Sequence, residues 1–104
     1  MKNAKKSNSF MNNNRKGERL MRDYEYLFAK TLHQKLKEKI IGRIFVKVNN
    51  NDELYVEIES FGDFTFRTSI DNFSDRILNG LSTDYVVYDI VKQYKSFVMK
   101  KYFM

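Results

Sequence analysis

The chain has no cysteine, no proline and no tryptophan, and its 104 residues include a single histidine. Without cysteine there can be no disulfide framework, no thiolate metal site and no cysteine nucleophile, so we expect a protein of a reducing cytosol. The lone His33 falls one residue past an apolar stripe, where a helical pattern predicts a solvent-facing side chain. We therefore assign no catalytic residue, no metal ligand and no cofactor, and we expect a non-enzymatic protein.

Long apolar runs are also missing. No run approaches the roughly 20 residues that a membrane-spanning helix needs, and the polar N-terminus lacks the apolar core of a signal peptide. The 4 glycines occur singly, which excludes a glycine-rich phosphate loop. The 9 Phe and 7 Tyr can fill one modest core. These features predict a soluble, cytoplasmic protein with no membrane partner.

Positive charge is concentrated near the N-terminus. Residues 1–22 carry seven basic side chains against Glu18, which accounts for the whole net charge of +6. Residues 1–16 contain five asparagines and only Phe10 and Met11 as large apolar side chains, too few to offset the chain entropy of folding. We predict a disordered basic tail over residues 1–16 and a single domain over residues 17–104.

This basic segment has two interpretations. It is either a solvated leader that aids solubility or an arm that follows the phosphates of a nucleic acid. Further lysines on the first predicted helix would lengthen the basic strip. The candidate nucleic-acid or partner-binding residues of this strip are Lys2, Lys5, Lys6, Arg15, Lys16, Arg19, Arg22 and Lys30.

The periodicity of the remaining chain predicts an α+β fold. Apolar residues spaced by three and four predict a helix over 18–41, closed by Gly42 in a left-handed conformation. Runs of period two over 44–48, 54–59 and 64–69 predict a three-stranded antiparallel meander packed against helices. Asp71 is the predicted N-cap of a short helix that ends at Asn79 and Gly80, and Ser82 or Thr83 begins a long C-terminal helix. The predicted order is α-β-β-β-α-α.

The solvent side of the meander provides three more candidate binding residues. A tip of residues 49–51 would place Phe45 opposite Tyr55, and a tip of residues 60–62 would place Tyr55 opposite Arg67. Aromatic rings beside a guanidinium stack bases on single-stranded nucleic-acid platforms. The alternatives are that a helix covers this face or that a second copy of the chain does. We expect the tyrosines of the last helix to lie mostly in the core, with their hydroxyls reaching water: Tyr85, Tyr88, Tyr94 and Tyr102.

The composition, rich in Lys, Asn, Ile and Tyr, is similar to that of short accessory proteins of phages and mobile elements in low-GC Gram-positive bacteria. The predicted element order and the hairpin of residues 46–56 resemble those of anti-CRISPR inhibitors of Cas9. The inhibitor with the similar hairpin is strongly acidic and imitates the duplex that Cas9 reads, whereas this body is neutral. Other such inhibitors have disordered basic N-termini. The resemblance therefore implies a tail that engages guide RNA or an acidic Cas9 surface while the body blocks DNA entry or nuclease movement.

Three hypotheses follow for the function. The first is a phage-type inhibitor of a nucleoprotein, most concretely an anti-CRISPR that blocks the Cas9–guide RNA complex. The second is a small nucleic-acid-binding module that holds an RNA or DNA backbone with its basic arm. The third is a homo-oligomeric structural phage protein whose exposed sheet face self-associates.

Overall fold

A computed structural model describes residues 21–60 and 64–103, so the predicted tail of residues 1–16 lies outside the described residues. The strands form one antiparallel sheet in the order β1-β2-β3. This architecture confirms the predicted α+β class and the meander. The elements are α1 (Asp23–Lys39), β1 (Arg43–Val48), β2 (Leu54–Glu59), β3 (Thr65–Ile70), α2 (Phe73–Leu78) and α3 (Thr83–Phe103).

The core lies between one face of the sheet and the inner faces of the two long helices. Alternate residues of β1 and β2 are buried aliphatic side chains, as the period-two pattern predicts. Leu32 and Leu36 of α1 are fully buried against them, and Val87 and Ile90 of α3 are 3% and 2% exposed. Each such side chain contributes about 1.5–3 kcal/mol by leaving water. Both long helices therefore pack on the same, aliphatic face of the sheet.

Helix α1 begins later and ends earlier than the predicted range of 18–41. Residues 18–20 lie outside the described part of the chain, and Ile40 already has extended backbone. Gly42 is not in the left-handed region, so the prediction that it closes the helix is wrong. A β-carbon at Gly42 would lie 2.8 Å from the carbonyl oxygen of Glu59. Glycine is needed here because the chain entering β1 passes close to the end of β2.

The register between β1 and β2 differs by two residues from the predicted one. Phe45 pairs with Glu57, and Lys47 pairs with Tyr55. The loop consists of residues 50–52, because Asp52 takes the left-handed conformation with φ of 59° and Asn49 N–H donates to the carbonyl of Glu53 at 3.1 Å. A three-residue hairpin loop ends in such a left-handed residue. The difference is an even number, so every side chain stays on its predicted face.

Asp52 also connects the hairpin tip to α2. Its carboxylate accepts hydrogen bonds from the Ser74 N–H at 3.2 Å and from the Ser74 hydroxyl at 2.8 Å. Its carbonyl accepts from the N–H of Phe73 at 2.9 Å. These bonds satisfy N–H groups that a helix start leaves unpaired. The prediction that Asp71 caps α2 is wrong, because the cap comes from a loop more than 20 residues earlier, while the adjacent Asn72 makes no side-chain cap bond.

The junction between α2 and α3 agrees with the sequence pattern. Helix α2 ends at Leu78, and Gly80 follows in the left-handed region with φ of 94°. The hydroxyl of Ser82 accepts a hydrogen bond from the N–H of Tyr85 at 3.3 Å, so Ser82 caps α3, whose first residue is Thr83.

Replacing Asp52 with Ala should lower the free energy of unfolding by about 2–3 kcal/mol. The substitution removes the side-chain hydrogen bonds to Ser74, and it puts alanine in a left-handed conformation that aspartate tolerates better. Asp71→Ala is the matched control, with an expected change within about 0.5 kcal/mol because Asp71 is exposed. Urea denaturation measures both variants. Equal effects of the two substitutions would contradict the assignment of Asp52 as the cap of α2.

Candidate nucleic-acid interface

Most of the basic residues predicted to bind nucleic acid precede the described part of the chain. Lys2, Lys5, Lys6, Arg15, Lys16 and Arg19 lie outside the described residues. The guanidinium of Arg22 lies 3.7 Å from the carboxylate of Glu25, which is fully buried and accepts a hydrogen bond from the Arg22 N–H at 2.9 Å. Arg22 therefore compensates a buried carboxylate at the start of α1. Lys30 is exposed, with its ammonium 5.9 Å from the ring centre of Tyr26.

The structure places Phe45, Tyr55 and Arg67 on the solvent side of the sheet but not in one row. Phe45 and Arg67 both pair with Glu57, whereas Tyr55 lies in the next row between Lys47 and Ser69. Phe45 is 39% exposed. Helices α1 and α3 pack on the opposite face, so neither covers these side chains. The shared face is confirmed, and the predicted direct pairing of Phe45 with Tyr55 and of Tyr55 with Arg67 is wrong.

Glu57 joins two members of this set. Its Oε1 accepts hydrogen bonds from the Tyr55 hydroxyl at 2.8 Å and from Nε of Arg67 at 3.2 Å. Burial and the hydrogen bond to Glu57 raise the pKa of Tyr55, and the hydrogen bond to Glu57 raises the pKa of Arg67. Arg67 therefore already faces a carboxylate that would repel phosphates.

The rings on this face already have cations beside them. The guanidinium of Arg43 lies 5.9 Å from the ring centre of Phe45, and the ammonium of Lys47 lies 5.4 Å from that of Tyr55. These distances are those of cation–π contacts. The outer sheet face is thus a network of mutually satisfied groups, which leaves little for a nucleic acid to neutralise.

A cleft of about 870 Å³ between α1 and α3 is more basic. Its α1 side is lined by Lys35 and Lys39, and its α3 side by Tyr88, Lys92 and Lys95. Val91, which is half-buried, adds apolar surface between the walls. The cleft thus combines cations, an aromatic ring and an apolar surface.

The two acids that line the cleft leave it positively charged. Nζ of Lys35 donates to Oδ1 of Asp84 across the cleft. This hydrogen bond, together with the charges of Lys35 and Lys39, lowers the pKa of Asp84. Asp84 is therefore ionised at neutral pH and neutralises Lys35. Glu38 is the second acid, while Lys39, Lys92 and Lys95 make no ion pair within the described ranges.

The topology explains why these lysines converge. Phe28, near the start of α1, packs at 5.3 Å on Phe73 of α2, beside the hairpin tip, so α1 runs away from the tip. Phe97, near the end of α3, packs at 5.3 Å and 5.5 Å on Phe64 and Phe66 where β3 begins, so α3 runs the same way. The C-terminal half of α1 therefore lies beside the first part of α3, where Lys35 meets Asp84, and the lysines of the cleft come from these two segments. The acids of the tip end are Asp52, Glu53, Asp71 and Asp75.

Sequence reasoning missed the cleft because it placed the tyrosines of α3 in the core. Tyr85, Tyr88 and Tyr102 are 61%, 65% and 60% exposed, so that expectation is wrong for all three. Tyr94 is half-buried, and its hydroxyl donates to Oγ of Ser60 at 3.0 Å. The helical periodicity of α3 could have indicated this exposure, because Tyr88 lies about 100° around the helix from the buried Val87.

Within the described residues no group of His, Asp and Glu is arranged to hold a metal ion. No described helix has both the length and the apolar character to cross a bilayer. Comparison with known proteins gave no matching family model, no matching curated protein and no matching solved structure.

His33 is half-buried rather than solvent-facing as the sequence pattern predicts. Its Nε2–H donates to the carbonyl of Ile44 at 3.0 Å, which ties α1 to β1. Burial lowers the pKa of His33 below 6.5; the Ile44 carbonyl opposes this effect, and the charge of Lys37 adds to it. The folded state therefore holds His33 neutral at pH values where the unfolded chain binds a proton.

This difference predicts that acid weakens the fold. The contribution of His33 is complete above the unfolded pKa of 6.5 and is lost as the pH falls through the lowered folded pKa. His33→Gln keeps an N–H donor and cannot titrate, so its stability should vary less between about pH 7.5 and pH 5.5. Urea denaturation across this pH range measures how the free energy of unfolding depends on pH in the wild-type protein and in the variant. A wild-type protein that gains stability on acidification would contradict the assignment.

Proposed function

We propose that this protein is a non-enzymatic inhibitor or accessory factor that acts on a nucleoprotein in the cytoplasm of a bacterial host cell. It binds the polyanionic part of its target by electrostatic attraction. The observation that carries the proposal is the cleft between α1 and α3, where four lysines stand against two carboxylates. The segment before Asp23 adds the whole net charge of +6. Such concentrated charge speeds the capture of a polyanion, and salt weakens it.

The most concrete form of this proposal is an anti-CRISPR that acts on Cas9 with its guide RNA. Its support is the resemblance in composition and in the hairpin of residues 46–56, which the structure contains as β1, its loop and β2. By analogy, the basic N-terminal segment engages guide RNA or an acidic Cas9 surface. The folded body then blocks DNA entry or nuclease movement.

The cleft also favours a second function, a small nucleic-acid-binding module with no fixed nucleoprotein target. Lysines beside an exposed tyrosine suit any nucleic-acid backbone. The third hypothesis, self-association through the sheet, has less support because Glu57 already binds Tyr55 and Arg67 on that face.

The first function predicts that the purified protein suppresses DNA cleavage by Cas9 and guide RNA. Deleting residues 1–16 should weaken suppression, and so should Lys92→Gln with Lys95→Gln, because both changes remove positive charge. Lys100→Gln with Lys101→Gln is the matched control, since it makes the same charge change on α3 outside the cleft. A cleavage assay titrated with each protein gives the half-inhibitory concentrations. Absence of suppression by the wild-type protein would reject the Cas9 target.

Binding to nucleic acid is the test that both functions share. We expect affinity for RNA or DNA to fall as salt rises, with a log–log slope that reports the number of phosphates contacted. The Lys92→Gln, Lys95→Gln variant should reduce that slope by about 1.4 for a single strand and about 1.8 for a duplex. Fluorescence anisotropy over a salt series measures the slopes. If no nucleic acid binds at low salt, the proposed binding to nucleic acid is wrong.

A further inference from the structure

We infer that the cleft between α1 and α3 receives a single strand of nucleic acid, with Tyr88 stacked on a base and the lysines of both walls on neighbouring phosphates. This inference rests on the proposed function, and it specifies the form of polyanion that the cleft accepts. The groove shape of the cleft favours a flexible strand over a duplex, and the exposed ring favours a base over an acidic peptide.

The form of the cleft favours a single strand. Helices α1 and α3 are in contact, and the Lys35–Asp84 pair bridges them at one point, so the cleft is a groove where their surfaces diverge. A duplex carries its phosphates on the outside of a rigid cylinder, so it would contact only the rims of this groove. A flexible single strand can enter and bring phosphates to Lys39 on one wall and to Lys92 and Lys95 on the other.

Tyr88 supplies the surface for a base. Its side chain is 65% exposed and makes no hydrogen bond or ring contact in the described part of the chain. It precedes Lys92 by four residues and Lys95 by seven, so the ring and both ammonium groups lie on one side of α3. Stacking on an aromatic ring accepts any base, because every base has a π face. A peptide whose negative charges are carboxylates has no base that could stack on this ring.

The remaining properties of the cleft agree with this occupant. Its volume of about 870 Å³ lies within the usual range for ligand sites. Val91, which is half-buried, provides apolar surface for a sugar or a base edge, while Lys39, Lys92 and Lys95 have no ion-pair partner within the described ranges. On the outer sheet face, by contrast, Tyr55 and Arg67 are both bound to Glu57. The cleft is therefore the better site for a strand.

The absence of tryptophan provides a direct probe. Tyr88→Trp places the only tryptophan of the chain in the cleft, where it can be excited selectively. Tyr85→Trp is its matched control, because Tyr85 is 61% exposed on the same helix but lines a different groove, next to β3. Each variant is titrated at low salt with oligothymidine of about ten nucleotides, a DNA duplex of the same length and a polyglutamate peptide. Thermal unfolding of each variant shows that it is folded.

We expect oligothymidine to quench the Tyr88→Trp variant strongly and the Tyr85→Trp variant weakly, and we expect the duplex and the peptide to quench neither. Tyr88→Leu should lower the affinity for oligothymidine about tenfold, whereas Tyr88→Phe should retain it, because a phenyl ring still stacks. Replacing Lys92 and Lys95 with Gln should reduce the salt slope by about 1.4.

Three results would overturn the inference: quenching by the duplex or the peptide as strong as that by the single strand, equal quenching of the two tryptophan variants, or unchanged affinity of Tyr88→Leu. In each of these cases the proposed function would still hold if the protein binds a polyanion and if replacing Lys92 and Lys95 weakens that binding. If neither nucleic acid binds at low salt, the proposed function fails together with the inference.

Discussion

Both long helices pack on one face of the sheet because the aliphatic residues of its strands alternate with polar ones and therefore point to one side. Two helices side by side on a three-stranded sheet contact each other as well as the strands, and Lys35 of α1 reaches Asp84 of α3. The cleft is the space that remains where their surfaces diverge. Its charge follows from the way the helices are offset, since the C-terminal half of α1 lies beside the first part of α3 and both segments contribute lysines.

Because of this arrangement, a folded body with no net charge carries a locally basic surface. The residues after Arg22 contain equal numbers of acids and bases, and from sequence alone they attract no polyanion. In the structure, four lysines of the two long helices line one cleft together with only two acids. Field strength near a surface depends on local charge rather than on the sum. A chain with a neutral body can therefore present a basic site.

Local periodicity predicted the elements, the class of fold and the face of every strand residue. It could not predict the register, because Asn49, Asn50, Asn51 and Asp52 all tolerate a left-handed conformation, and the position of that conformation decides which residues pair. The cap of α2 was equally hidden, since Asp52 and Ser74 meet only after the tertiary fold forms. The cleft depends on how α1 and α3 face each other, which no single helix pattern contains.

The central claim is that the cleft, and not the outer sheet face, is the surface of the folded body that binds polyanions. Backbone amide chemical shifts of the isotopically labelled protein, titrated with oligothymidine, locate that surface directly. We expect the largest shifts at residues 35–39 of α1 and 88–95 of α3. Shifts confined to β1, β2 and β3 around Phe45, Tyr55 and Arg67 would contradict the claim.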